Sequence, residues 1–211
     1  DLAASEPWLA QTEMQEGNPR AARDHRAEQR RLLAQLLSKD PTNRQYRSLE
    51  IAAATGQAMI QGSLGDRVGA IRTLQQALDE ASALAAADPA NRMERDRKRA
   101  AQLFLARAWL DNAHTDPAAI GQARKLLGNC GDDWTGAASN ELPVLCNLLS
   151  SRLAVLAGNP AKARLYLADP RVATAIRDPS LTTNWNLDFA KGCQQIGDPA
   201  VCNPRKLAIQ S

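Results

Sequence analysis

Two stretches of this 211-residue chain read almost alike: LLSKDPTNRQYR at 36–47 and LAAADPANRMER at 84–95. Each runs an apolar segment into Asp-Pro, then Thr42 or Ala90, then Asn-Arg, and Asp40 stands 48 residues before Asp88. A second signal keeps step with the first: GNPRAA begins at Gly17, GDRVGA at Gly65, TDPAAI at Thr115 and GNPAKA at Gly158, at intervals of 48, 50 and 43 residues. Each places a breaker ahead of an N-cap residue (Asn18, Asp66, Asp116, Asn159). Pro follows in three of the four, in the first helical turn where its missing N–H costs nothing. A period of this size marks stacked supersecondary units rather than one continuous weave.

The units are helical. Ala and Leu supply most of the 44% apolar residues, aromatics are only 4%, and no period-2 run of strand length occurs. Between Asp66 and Ala87, the residues Ile71, Leu74, Leu78, Ala81 and Ala85 recur at three- and four-residue steps, with Ala70 and Ala77 small where two helices must approach closely. Ala101, Leu103–Leu105, Ala108, Trp109 and Leu110 form the next apolar surface. A single hairpin cannot bury such a face, so neighbours must stack. The expectation is an all-α solenoid of about four antiparallel helical hairpins, turning near Gly17, Gly65, Thr115 and Gly158.

Residues 1–164 hold these hairpins, and 165–211 read as an atypical C-terminal cap and tail on the same domain. NCGDDWTGAASNELP (129–143) is a turn-rich loop. A helix from about Glu141 to Ala157 follows, then a short one after Asn159, and Asp178, Pro179 and Ser180 start the last.

Several function classes are set aside. No 18-residue window is continuously apolar, so no membrane insertion is expected, and the start DLAASEPWLA carries no signal-peptide pattern. A net charge of +3 without a recognition motif argues against nucleic acid. The basic stretches RAARDHRAEQRR (20–31) and RMERDRKR (92–99) are interrupted by acids at helical spacing and read as solvated faces with intrahelical ion pairs. No nucleophile elbow, zinc-protease, phosphate-loop or dinucleotide motif occurs. His25 reads as solvated and His114 as finishing a helix. No enzyme and no cofactor are expected.

All four cysteines, Cys130, Cys146, Cys193 and Cys202, fall in the last 82 residues. None forms Cys-x-x-Cys and both histidines are distant, which argues against a metal site. Cys193 and Cys202 flank a turn-rich stretch, and Cys130 and Cys146 bracket the loop. Pairs Cys130–Cys146 and Cys193–Cys202, each closing a short loop for roughly 2–3 kcal/mol, would place the chain in an oxidising compartment such as a periplasm. Four reduced, buried cysteines in a cytosolic protein are the alternative.

The turn glycine, Ala70 five residues after it, Leu74, Ala77 and the closing Asp-Pro-x-Asn resemble tetratricopeptide (TPR) repeats, most clearly over 41–128. Pro89 comes about two helical turns later than the usual 34-residue pattern allows, so the second helix is lengthened. That form, ALDEASALAAADPANR included, is similar to repeats found beside bacterial serine/threonine protein kinases, where the array is the non-catalytic, often extracytoplasmic, part of a receptor. The resemblance implies that the first helix of each pair lines a concave surface. Inward positions are then Arg44, Ser48, Thr55 and Met59, next Arg95, Lys98, Gln102, Trp109 and Asn112, and further on Arg152. Arg, Lys and Asn there suit a protein or peptide partner with an acidic segment or free carboxylate, while Met and Trp offer apolar contact. Trp109 as core and Arg44 or Arg95 as solvated groups are the competing assignments. The implied function is a ligand-binding sensor domain of a transmembrane kinase; a cytosolic TPR adaptor and the regulatory part of a helical-repeat transcription factor are the alternatives.

Overall fold

Chain reversal at three points follows one geometry, and it comes from glycine. Gly17, Gly65 and Gly158 have φ of 81°, 86° and 74°, in the left-handed region where a Cβ is penalised. At each, the glycine N–H donates to the carbonyl three residues back (Met14, Gly62, Val155), and the following N–H donates five residues back (Glu13, Gln61, Ala154). This double closure satisfies the last carbonyls of the outgoing helix. The residue that completes it also opens the next helix. The Asp66 carboxylate accepts from the Gly69 N–H at 2.9 Å and the Asn159 side chain from the Lys162 N–H at 3.0 Å. Asn18 does this through its carbonyl, which accepts from Ala22, without a side-chain cap bond.

The Asp-Pro turns work differently. The side chains of Asn43 and Asn91 accept from the Tyr46 and Glu94 N–H groups, while their own N–H groups donate to the Asp40 and Asp88 carbonyls. The asparagine of Asp-Pro-x-Asn is therefore the N-cap of the following helix. The reversal near Thr115 uses neither device. Thr115 donates its hydroxyl to the Asn112 carbonyl and side chain, and Asp116 accepts from the Ala118 N–H.

The structure is a computed structural model that describes residues 2–128 and 141–177 together with Cys193. Among the described residues every regular element is helical: α1 (Leu2–Gln15), α2 (Pro19–Lys39), α3 (Arg44–Ser63), α4 (Arg67–Ala87), α5 (Arg92–Asn112), α6 (Ala118–Leu127), α7 (Glu141–Leu156), α8 (Pro160–Leu167) and α9 (Pro170–Arg177). None of these helices is long and apolar enough to cross a membrane. The loop at 129–140, with Trp134, and the expected last helix from Asp178 lie outside the described residues.

The chain forms two compact units, Asp1–Ala108 and Trp109–Ser211. In the first, α1 packs on α2, α2 on α3 and α3 on α4. Ala10 of α1, Ala22 of α2 and Ile60 of α3 form one buried cluster, with Met14 against it. Along α4 the apolar stripe buries as its spacing requires: Leu74, Leu78, Ala81 and Ala85 are covered, as are the small Ala70 and Ala77, while Ile71 is half-buried. In the second unit α7 is central. It packs on α6, α8 and α9, and every residue from Pro143 to Arg152 is buried.

Gly65 separates backbone strain from crowding, because a Cβ there meets nothing within 4 Å. Gly65→Ala should lower the unfolding free energy by about 1–2 kcal/mol. Gly62→Ala, in the last turn of α3 and equally open, should raise it by about 0.5–1 kcal/mol. Urea denaturation of the two variants against wild type measures both, and equal effects would remove the left-handed requirement.

Candidate functional site

A half-buried charged seam lies between α2 and α3, and it comes from residues three and four apart on α2. Arg26, Gln29 and Arg30 share one face of that helix and turn toward α3. Arg30 donates from Nε and Nη2 to Glu50 Oε1 at 2.7 and 2.6 Å, and from Nη1 to Gln57 Oε1 at 2.8 Å. Arg26 Nη1 donates to Oε1 of the buried Gln29 at 2.8 Å. Its guanidinium lies directly over Gly56, where an added Cβ would stand 2.8 Å from Cζ. A larger residue at position 56 would displace the guanidinium from this place.

The seam is not fully satisfied. Arg26 Nε and Glu50 Oε2 are buried without a hydrogen-bond partner. Burial pulls the Arg26 pKa below its usual value. Burial also pushes the Glu50 carboxyl above the usual range, against the opposing pull of Arg30. The positions 48 residues on in α4, Leu74, Ala77 and Leu78, are apolar and buried. One register of the repeat thus carries charge in α2 and hydrocarbon in α4.

A second polar group joins α3, α4 and α5. Arg47 pairs with Glu80 of α4, and Arg97 of α5 donates to the Ser48 carbonyl at 3.1 Å. Ser48 and Glu94 are buried, and Ser48 Oγ and Glu94 Oε2 lack partners. The basic stretches therefore depart in part from the solvated faces expected of them. Arg31–Glu28 and Arg99–Asp96 are local pairs of the expected kind, while Arg23 pairs with its neighbour Asp24. Arg26, Arg30 and Arg97 instead serve contacts between helices. His25 also differs from a merely solvated group: its Nδ1 lies 2.8 Å from Glu6 Oε2 of α1.

The residues named for a concave surface fall as follows. Arg44 pairs with Asp88 Oδ2 at 3.2 Å and ties the start of α3 to the end of α4. Thr55 donates its hydroxyl to the Ile51 carbonyl of its own helix at 2.8 Å. Arg95 Nη1 donates to the Pro89 carbonyl at 2.6 Å. Lys98 is exposed, and Met59 and Gln102 are half-buried. These positions lie in the first unit. In the second, Trp109 is half-buried, and the Asn112 side chain accepts from Thr115 at the turn. Arg152 is buried on α7 and pairs with Asp111 at 2.7 Å, beside the buried Asn147, Ser150 and Ser151 of the same helix. Cys146 and Cys193 are buried; Cys130 and Cys202 lie outside the described residues, so each expected disulfide has one member there.

Chemically, these groups can orient helices and hold complementary charge. Among the described residues no three His, Cys, Asp or Glu side chains are grouped to hold a metal ion. The α2–α3 contacts escaped the reading of the sequence because their partners lie 20 and 27 residues apart. The one local sign was a glycine at position 56 in mid-helix. Comparison with protein-family models, with curated proteins and with solved structures finds no match to this chain.

The raised Glu50 carboxyl gives folding a signed pH dependence. The folded chain holds this proton more tightly than the unfolded chain. Its contribution is therefore fully present below the ordinary carboxylate value of about 4.3 and is lost as pH rises through the folded-state value. In urea denaturation from about pH 4 to 7, Glu50→Gln should gain on wild type as pH rises. A pH-independent difference would contradict this.

Proposed function

We infer that this chain is a non-catalytic binding domain of the helical-hairpin repeat class, and that it serves as the extracytoplasmic sensor part of a bacterial transmembrane serine/threonine kinase. The observation that carries the binding reading is the repeated unit. The turns at Gly17 and Gly65 share hydrogen bonds and φ, and the Asn43 and Asn91 caps repeat 48 residues apart. Stacked hairpins of this kind present long ordered faces to partners. The TPR-like pattern and the lengthened second helix, α4 at 21 residues, support the kinase setting. Placement outside the cytoplasm rests on the four C-terminal cysteines.

The partner is a protein or peptide with an acidic segment. Arg95 and Lys98 stand one turn apart on α5, Lys98 exposed and Arg95 half-buried. Each contact to a carboxylate in a partly desolvated groove contributes about 1.5–3 kcal/mol, and added salt weakens whatever stays wet. The double variant Arg95→Ala/Lys98→Ala should bind a labelled glutamate-rich peptide at least tenfold more weakly in low salt, with a nearly unchanged melting temperature. Wild-type affinity in that variant removes this face as the site.

The compartment has its own measurement. Protein exported to an oxidising compartment, then denatured without reductant, should show no free thiol and yield linked Cys130–Cys146 and Cys193–Cys202 peptides. Four titratable thiols in such protein would withdraw the extracytoplasmic placement.

A further inference from the structure

Arg97 Nε is a buried donor without a partner, on a side chain whose other nitrogens are in use. Nη1 donates to the Ser48 carbonyl of α3 at 3.1 Å, and Nη2 donates to Met93 Sδ at 3.5 Å. The Nε and Nη2 protons leave a guanidinium along one edge, which suits an oxygen acceptor. Arg30 uses that edge in this way on Glu50 Oε1. On Arg97 the acceptor at the same edge is a thioether, which accepts weakly and leaves Nε unsatisfied. One oxygen bonded to Met93 Sδ would supply the acceptor that this edge lacks.

Met93 is also the methionine that an oxidant reaches most easily. The chain has three methionines. Met14 packs against the Ala10–Ala22–Ile60 cluster and Met59 is half-buried, whereas Met93 is 62% exposed. We propose that Met93 is an oxidation site for hydrogen peroxide, and that Arg97 holds the sulfoxide oxygen through Nε and Nη2. In the reaction a sulfur lone pair attacks one peroxide oxygen. The S–O bond forms as the O–O bond breaks, and the departing hydroxide takes the remaining proton and leaves as water. Sulfur loses two electrons and the peroxide gains them. A sulfoxide inside a core disrupts packing, because a polar oxygen enters an apolar place. Here the residue is exposed, and the new oxygen meets a cationic donor already tied to the Ser48 carbonyl. Oxidation therefore tightens the junction of α3 and α5. The site does not involve Arg95 or Lys98 and does not rest on the acidic-partner reading of α5.

The test treats the full chain with hydrogen peroxide, native and in urea, and maps the digested peptides by mass spectrometry. In the native chain Met93 should be oxidised about tenfold faster than Met14 and Met59, and in urea the rates should converge. Amide exchange then reads the junction, at the point where only Met93 is converted. Residues 93–98 should exchange about fivefold more slowly in the oxidised chain than in the untreated one. Met93→Leu alters one exposed side chain and removes the sulfur, so peroxide should leave its exchange unchanged. Arg97→Leu should still form the sulfoxide but show no slowing. Equal native rates for the methionines overturn the proposal, as does exchange that is unchanged or faster after oxidation. Slowing that survives in either variant also overturns it, by assigning the effect to another group.

Discussion

The two-residue reversal is the tightest constraint in the molecule, and the helix packing follows from it. A left-handed glycine closes one helix and the next residue begins its partner, so no slack remains for the two helices to rotate about their axes. The faces that meet are then fixed by sequence phase alone. Ala10 must come against Ala22, and Ile60 reaches the same point from α3. Small side chains suit that closeness, since overpacking a buried alanine contact costs about 1–3 kcal/mol. The turn between α5 and α6 lacks such a glycine and is held by Thr115 and Asp116 side chains instead.

Within this frame, the same register carries opposite chemistries. Hydrocarbon at Leu74, Ala77 and Leu78 contributes adhesion in proportion to buried area and tolerates modest sliding. Charge at Arg26 and Arg30 contributes less net stability, because desolvation offsets much of the pairing, and the orphaned Arg26 Nε and Glu50 Oε2 add to the cost. What the polar seam supplies is position. Arg26 lies over Gly56, and Arg30 reaches Glu50 and Gln57 together. A shift of one residue would strand all of these groups.

Local punctuation was readable because its causes are local. Asp66 and Asn159 act as caps through their own side chains, and Gly17, Gly65 and Gly158 need no distant partner to take a positive φ. The stripe on α4 was readable for a similar reason: its burial depends on period, and the period is written in order. The caps of the Asp-Pro turns, Asn43 and Asn91, stood inside a motif whose repetition was plain while its bonding was not. The roles of Arg26 and Arg30 were illegible. Arginine at helical spacing looks the same whether it faces water or a carboxylate on another helix. The candidate surface on α5 came from likeness to a repeat family, and the structure adds that Arg95 leans on the Pro89 carbonyl while Lys98 is exposed.

Packing between sequence neighbours also bears on how such a chain comes into being. In the first unit α1 meets α2, α2 meets α3 and α3 meets α4, so α2, α3 and α4 each find a surface already made. Synthesis of one 48-residue unit takes about 2–10 s at ribosomal rates, whereas helical proteins dominated by local contacts fold in microseconds to milliseconds. Each hairpin of the first unit therefore has time to close before the next has left the tunnel. The growing end always offers one bare helix face, which the following hairpin covers. Assembly of this unit runs in the order of translation, and the stretch of chain waiting for a partner is never longer than a single repeat.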